Sequence, residues 1–129
     1  MTAGARSTRS YQGAQGLVLR ADVWGDPLAP PVLFMHGGGQ TRHAWGNTAC
    51  EVAGKGFFAV SLDLRGHGDS DWDQDGDYSI DAYADDFKEV VSAFEQAPVV
   101  VGASLGGLTA LISEGERAPG LARALVFVD

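Results

Sequence analysis

The pentapeptide Gly102-Ala103-Ser104-Leu105-Gly106 is the feature of this sequence most able to do covalent chemistry. It follows an apolar run, Val99 to Val101, and opens a helical pattern at Leu105. A serine held with positive φ in a sharp strand-to-helix turn stands above the strand end, where its hydroxyl can act as a nucleophile. Side chains two positions before and two after would collide in such a turn. Gly102 and Gly106 meet that demand, and Gly107 adds clearance for the helix. The helix N-terminus brings amide donors and the positive end of the helix dipole near the serine oxygen. Without a strand before and a helix after, the same five residues would signify only a serine cap on a tight turn.

A nucleophilic serine attacking a carbonyl needs donors for the oxyanion that develops, and His36-Gly37-Gly38-Gly39-Gln40 follows the short apolar run Val32–Met35. Two preorganised amides aimed at that oxygen stabilise it, and losing one costs about 10²–10³ in rate. The amides assigned to this role are those of Gly38 and Leu105, with Gly37 and Gly39 shaping the loop. His36 precedes the serine at a strand end of this kind and is read as a structural histidine bonded to the loop. A third glycine loop, Asp63-Leu64-Arg65-Gly66-His67-Gly68-Asp69-Ser70, follows Phe57–Leu62. Charges so near a buried strand end pair, because an unpaired buried charge is costly. Asp63 and Arg65 are therefore expected to form a network that fixes the loop. His67 has no second histidine at ligand spacing and no nearby cysteine pair, so no metal is expected.

The elements that must position these loops are legible in the patterning. Residues 1–10 read as a loose tail and Gly16–Trp24 as a strand. Val32–Met35, Phe57–Leu62, Val99–Val101 and Leu121–Val128 read as further strands, and His43–Gly54 and Leu105 to about Arg117 as helices. Ser79 is expected to cap a helix whose apolar stripe is Ile80, Tyr83, Ala84, Phe87, Val90, Val91 and Phe94. Asp81, Asp85, Asp86, Lys88 and Glu89 are assigned mostly to its solvated face. Strand and helix in alternation mean an α/β fold, a parallel-centred sheet with helices on both faces. Ligands bind outside the carboxyl ends of such strands. All three glycine clusters (37–39, 66–68 and 102–107) lie at carboxyl ends, so they are expected to converge on one site.

The length, 129 residues, suits one small domain. A net charge of −8 argues against nucleic acid or an anionic membrane as partner; the partner expected is a small-molecule substrate. The single cysteine, Cys50, can form no disulfide within the chain, which fits a reducing compartment. There is no signal-peptide pattern and no apolar run near the ~20 residues of a membrane span, so a cytoplasmic location is expected.

HGGGQTRHAW, LDLRGHGDS and GASLGG, in this order and spacing, resemble the α/β-hydrolase superfamily, with the esterase, epoxide-hydrolase and haloperoxidase-like branch the nearest in look. The resemblance runs from about Gly16 to Asp129. It implies a serine hydrolase acting on an ester, thioester, lactone or C–C bond, without a cofactor. Epoxide hydrolases and haloalkane dehalogenases carry an aspartate where this chain has Ser104, which favours acyl transfer. The family's chain order is nucleophile, acid, histidine. No histidine follows Ser104, since His36, His43 and His67 all precede it. The resemblance therefore implies an incomplete core over residues 1–129, lacking later strands and a cap. This chain alone is expected to be nearly inactive and prone to aggregate through an open last strand. Some relatives take the triad acid from the end of the sixth strand, where Asp129 stands. The competing assignment for Asp129 is a loop aspartate that contacts no histidine. The alternative function is a non-catalytic binding or receptor module on the same fold.

Overall fold

The computed structural model describes residues 6–117 and 120–128. Six strands form one sheet: β1 (Ser7–Gln12), β2 (Val18–Trp24), β3 (Pro31–Met35), β4 (Phe58–Leu62), β5 (Val99–Ala103) and β6 (Ala124–Val128). Their order across the sheet is β1-β2-β4-β3-β5-β6. The four strands β4, β3, β5 and β6 run parallel, and β1 and β2 add an antiparallel flank. Three α-helices connect the parallel strands: α1 (Gly46–Gly54), α2 (Ile80–Ser92) and α3 (Leu105–Ile112).

Strand periodicity explains the layering, because successive side chains point to opposite faces. Val32 and Phe34 of β3 and Ala59 of β4 join Trp24 against Ala49 and Ala53 of α1. Leu33 and Met35, with Val60, Leu62 and Val100, face the other way. There they pack against Tyr83, Phe87, Val90 and Val91 of α2 and Ala110 of α3. The central strands are buried on both faces, which is why they read as short unbroken apolar runs. Ser79 caps α2, its Oγ accepting from the Ala82 amide at 3.2 Å.

The strand order places the site. After β3 the chain steps to one side to form β4, then returns to the other side of β3 to form β5. That reversal opens a crevice between the carboxyl ends of β3 and β5, the position where open α/β sheets bind ligands. The loop after β3 and the turn after β5 both emerge there.

Several expectations need correction. The loose tail is in part a strand: residues 7–12 pair with β2 from Ser7↔Val23 to Gln12↔Val18. β1 is an edge strand in which only Tyr11 is buried, so backbone pairing holds it and no apolar alternation betrays it. Gly16 lies before β2, in a short 3-10 turn with φ +78°. The segment from His43 begins as a 3-10 turn, Arg42–Trp45, before α1 starts at Gly46. Asp86 is not on a solvated face but 3% exposed. At the opposite edge of the sheet, β6 leaves Phe127 53% exposed, and Leu108 and Leu111 of α3 are exposed as well. Among the described residues no helix is long and apolar enough to cross a membrane.

Candidate active site

Ser104 has φ 48° and ψ −110°, between the end of β5 and the first residue of α3. Such a backbone costs about 1–3 kcal/mol and persists only where the surroundings enforce it. They do so by close approach. A methyl carbon built on Gly106 would lie 2.5 Å from the Met35 carbonyl oxygen, and one on Gly102 would lie 2.5 Å from the Gly107 amide nitrogen. The Ser104 amide donates to the Val128 carbonyl at 3.3 Å, and the Ser104 carbonyl accepts from Leu108 at 2.8 Å. Thus β6 and α3 grip the turn while the side chain remains exposed.

The loop after β3 lies over this turn. A methyl carbon on Gly37 would be 3.5 Å from Ser104 Cβ, and one on Gly38 would be 3.9 Å from Leu105 Cδ2. The Gly37 amide donates to Gln40 Oε1 at 2.9 Å, and the Gly39 amide donates to His67 Nε2 at 3.2 Å. The Gly38 amide, between them, makes no hydrogen bond among the described residues. Leu105 opens α3, so its amide has no partner within the helix. The amides of Gly38 and Leu105 thus lie on adjoining backbones beside an exposed serine.

Charged pairs hold the loops from beneath. Arg42, just past the glycine loop after β3, donates its amide to Asp63 Oδ1 at 2.6 Å and pairs its guanidinium with Asp63. The same guanidinium meets Asp22 at 3.0 Å and Asp69 at 2.9 Å. Arg65, 0% exposed, makes two bonds to Asp86 of α2 at 2.6 and 2.8 Å and donates to the Asp77 carbonyl at 3.0 Å. Asp63 and Arg65 therefore each anchor the third glycine loop, through different partners. Sequence reasoning missed Arg42 and Asp22, which spacing along the chain does not connect. It missed Asp86 although Tyr83, Asp86 and Val90 share helical spacing, which places Asp86 on the flank of the buried stripe. It also missed Gln40, whose side chain and backbone both lock Gly37.

His36 is 0% exposed. Its Nε2 accepts from the Leu64 amide at 3.0 Å and its Nδ1 lies 2.7 Å from the Gly37 carbonyl. Burial holds its pKa below the ordinary 6.5; the bond to Gly37 and the Asp63 charge oppose that shift, while His67 adds to it. The unfolded chain then binds the proton near 6.5 and the folded chain only at lower pH. Between the two the unfolded state binds more protons, so stability is complete above 6.5 and falls with pH below it. We expect the urea midpoint to drop between pH 7.5 and 5.5, and the drop to shrink in His36→Asn, which cannot ionise. An unchanged slope in that variant would contradict the assignment.

The structure brings Ser104, Leu105, Gly37, Gly38, Gly39, Gly102 and Gly106 together. Asp129 lies outside the described residues, although its neighbour Val128 touches the serine turn. Among the described residues no group of three His, Cys, Asp or Glu is placed to hold a metal ion. A cleft of about 710 Å³ lined by Asp71, Trp72, Asp73, Asp75 and Asp77 includes none of the residues around Ser104.

Known proteins resemble this chain in sequence and in fold. A family model for the alpha/beta hydrolase fold matches residues 30–129. An esterase of Mycobacterium tuberculosis is 44% identical over 82% of this chain and 34% of its own length. A non-heme chloroperoxidase of Kitasatospora aureofaciens is 31% identical over 82% of this chain and 38% of its own length. A thioesterase domain from the curacin biosynthetic pathway superposes with a TM-score of 0.87 at 28% identity, covering 97% of this chain and 46% of that one. The chain thus spans about a third of the length of the curated relatives it matches. With the family model matching from β3 to the last residue, and the strand order, serine turn and glycine loops in place, this chain belongs to the α/β-hydrolase fold family.

Proposed function

We propose that this chain carries the nucleophile half of a serine hydrolase acting by acyl transfer. Ser104 Oγ attacks the carbonyl carbon of an ester, thioester or similar acyl compound. The amides of Gly38 and Leu105 receive the developing oxyanion. A general base takes the serine proton and returns it to the leaving group. Water then hydrolyses the acyl-serine by the same steps, so no cofactor is consumed. The observation that carries this reading is the conformation of Ser104: exposed, strained at φ 48°, and beside a loop offering a free amide. A binding module has no need of such strain.

The base is assigned to a histidine beyond residue 129 of a longer chain, because His36 and His67 already spend both ring nitrogens on backbone groups. His43 precedes α1 and lies 3.7 Å from Asp22. Asp129 is proposed as the triad acid. Its support is the Val128 carbonyl, which accepts from the Ser104 amide at 3.3 Å and so brings the end of β6 to the nucleophile. The full-length protein is expected to hydrolyse p-nitrophenyl esters of short acids in buffer containing a chelator. No turnover above the buffer rate would contradict the proposal.

A further inference from the structure

We propose that His36 and His67 form a reciprocal clasp that positions the oxyanion loop, and that it holds only while both rings are neutral with the proton on Nδ1. The inference rests on the serine-hydrolase reading for its catalytic consequence, though not for its geometry. His36 belongs to the loop after β3, and its Nε2 accepts an amide of the other loop, that of Leu64, at 3.0 Å. His67 belongs to the loop after β4, and its Nε2 accepts the Gly39 amide of the first loop at 3.2 Å. Each ring turns Nδ1 to a carbonyl of its own loop, His36 to Gly37 at 2.7 Å and His67 to Arg65 at 2.9 Å. A backbone amide can only donate and a carbonyl only accept, so this set of partners fixes one tautomer for both rings. The two rings lie 4.9 Å apart between centroids.

The consequence falls on Gly38. Its neighbours Gly37 and Gly39 are the two residues the clasp holds, one by its carbonyl and one by its amide. Gly39 takes φ +79°, a turn that its bond to His67 stabilises. With both sides fixed, the Gly38 amide stays beside Leu105 before substrate arrives, and preorganisation of this kind is the source of oxyanion stabilisation. A proton added to Nε2 of either ring turns an acceptor into a donor facing an N–H, and that cross-loop bond is lost. The charges around the pair are few. Asp63 faces His36 but is engaged by Arg42, Asp69 shares that arginine, and Arg65 is engaged by Asp86. Tyr83 of α2 reaches the same Arg65 carbonyl as His67, at 3.4 Å.

The test uses the full-length protein, with diethyl p-nitrophenyl phosphate as the probe of Ser104. Imidazole ¹⁵N spectra at neutral pH should show both rings with the proton on Nδ1. A proton on Nε2 of either ring would overturn the clasp whatever the serine does. His67→Ala should slow the maximal rate of phosphorylation of Ser104 by about 10- to 100-fold, less than removing an oxyanion donor outright. Its half-saturating probe concentration should stay within about twofold. His67→Gln keeps an acceptor near the Gly39 amide and should recover most of the rate. A wild-type rate in His67→Ala, or no recovery of the rate in His67→Gln, would refute the positioning role. If the wild-type protein does not react at Ser104 at all, the serine-hydrolase reading fails, and the ring spectra still decide the clasp.

Discussion

Replacing Ser104 by alanine in the full-length protein is expected to lower the hydrolysis of a short activated ester by at least about a thousandfold. The backbone should be almost untouched. Ser104 is held by its amide on Val128 and its carbonyl on Leu108, and neither bond uses the side chain. Alanine keeps the Cβ that Gly37 approaches. The loss would therefore appear in kcat with little change in thermal midpoint, the pattern of a group used only in the chemical step. Any residual activity is expected to come from the proposed oxyanion amides of Gly38 and Leu105, which the substitution leaves in place. A variant retaining more than about a tenth of the rate would be incompatible with a nucleophile, given the size of a triad loss.

Asp86→Ala is the substitution expected to cost most in stability, about 3–5 kcal/mol, because it strands a buried cation. Arg65 is 0% exposed and makes two of its bonds to Asp86. Asp86 also accepts from the Ala14 amide at 2.8 Å, so the turn before β2 loses its anchor as well. Burial without a partner is expensive whatever the shape of the cavity left behind. Replacing both members, Arg65→Met with Asp86→Leu, should cost less than the single change, since no charge is left unpaired. Urea unfolding of the full-length protein measures both. A single-variant loss under about 1 kcal/mol, or a double variant clearly worse than Asp86→Ala, would show that the pair does not anchor the loop.

The parts of this fold legible in the sequence are those where burial writes a period. The α2 stripe from Ile80 to Val91 and the doubly buried strands around Leu33, Val60 and Val100 declare themselves by spacing or by unbroken apolar runs. The serine turn is legible for a steric reason: Gly102 and Gly106 have no room for a side chain, so their places are fixed by the backbone they meet. What stayed hidden depends on contacts distant in sequence. Residues 7–12 are polar and edge-on, and only pairing with β2 makes them a strand. Arg42 gathers Asp22, Asp63 and Asp69, which lie 20, 21 and 27 positions away, from a strand and a loop that its own neighbourhood does not announce. Asp86 reads as exposed because a charge on a helix does so until its cation, here Arg65, is known. The histidines at 36 and 67 each read as isolated structural residues, and only the folded chain brings their rings to 4.9 Å between centroids, tilted by 53°.

A covalent adduct tests most directly whether Ser104 is the residue that attacks the substrate. The full-length protein, treated with a fluorophosphonate, digested and mapped by mass spectrometry, should carry one phosphonyl group, on the peptide containing Ser104. The Ser104→Ala protein should carry none. An adduct on a different residue, or ester hydrolysis that persists with no adduct at Ser104, would contradict the account.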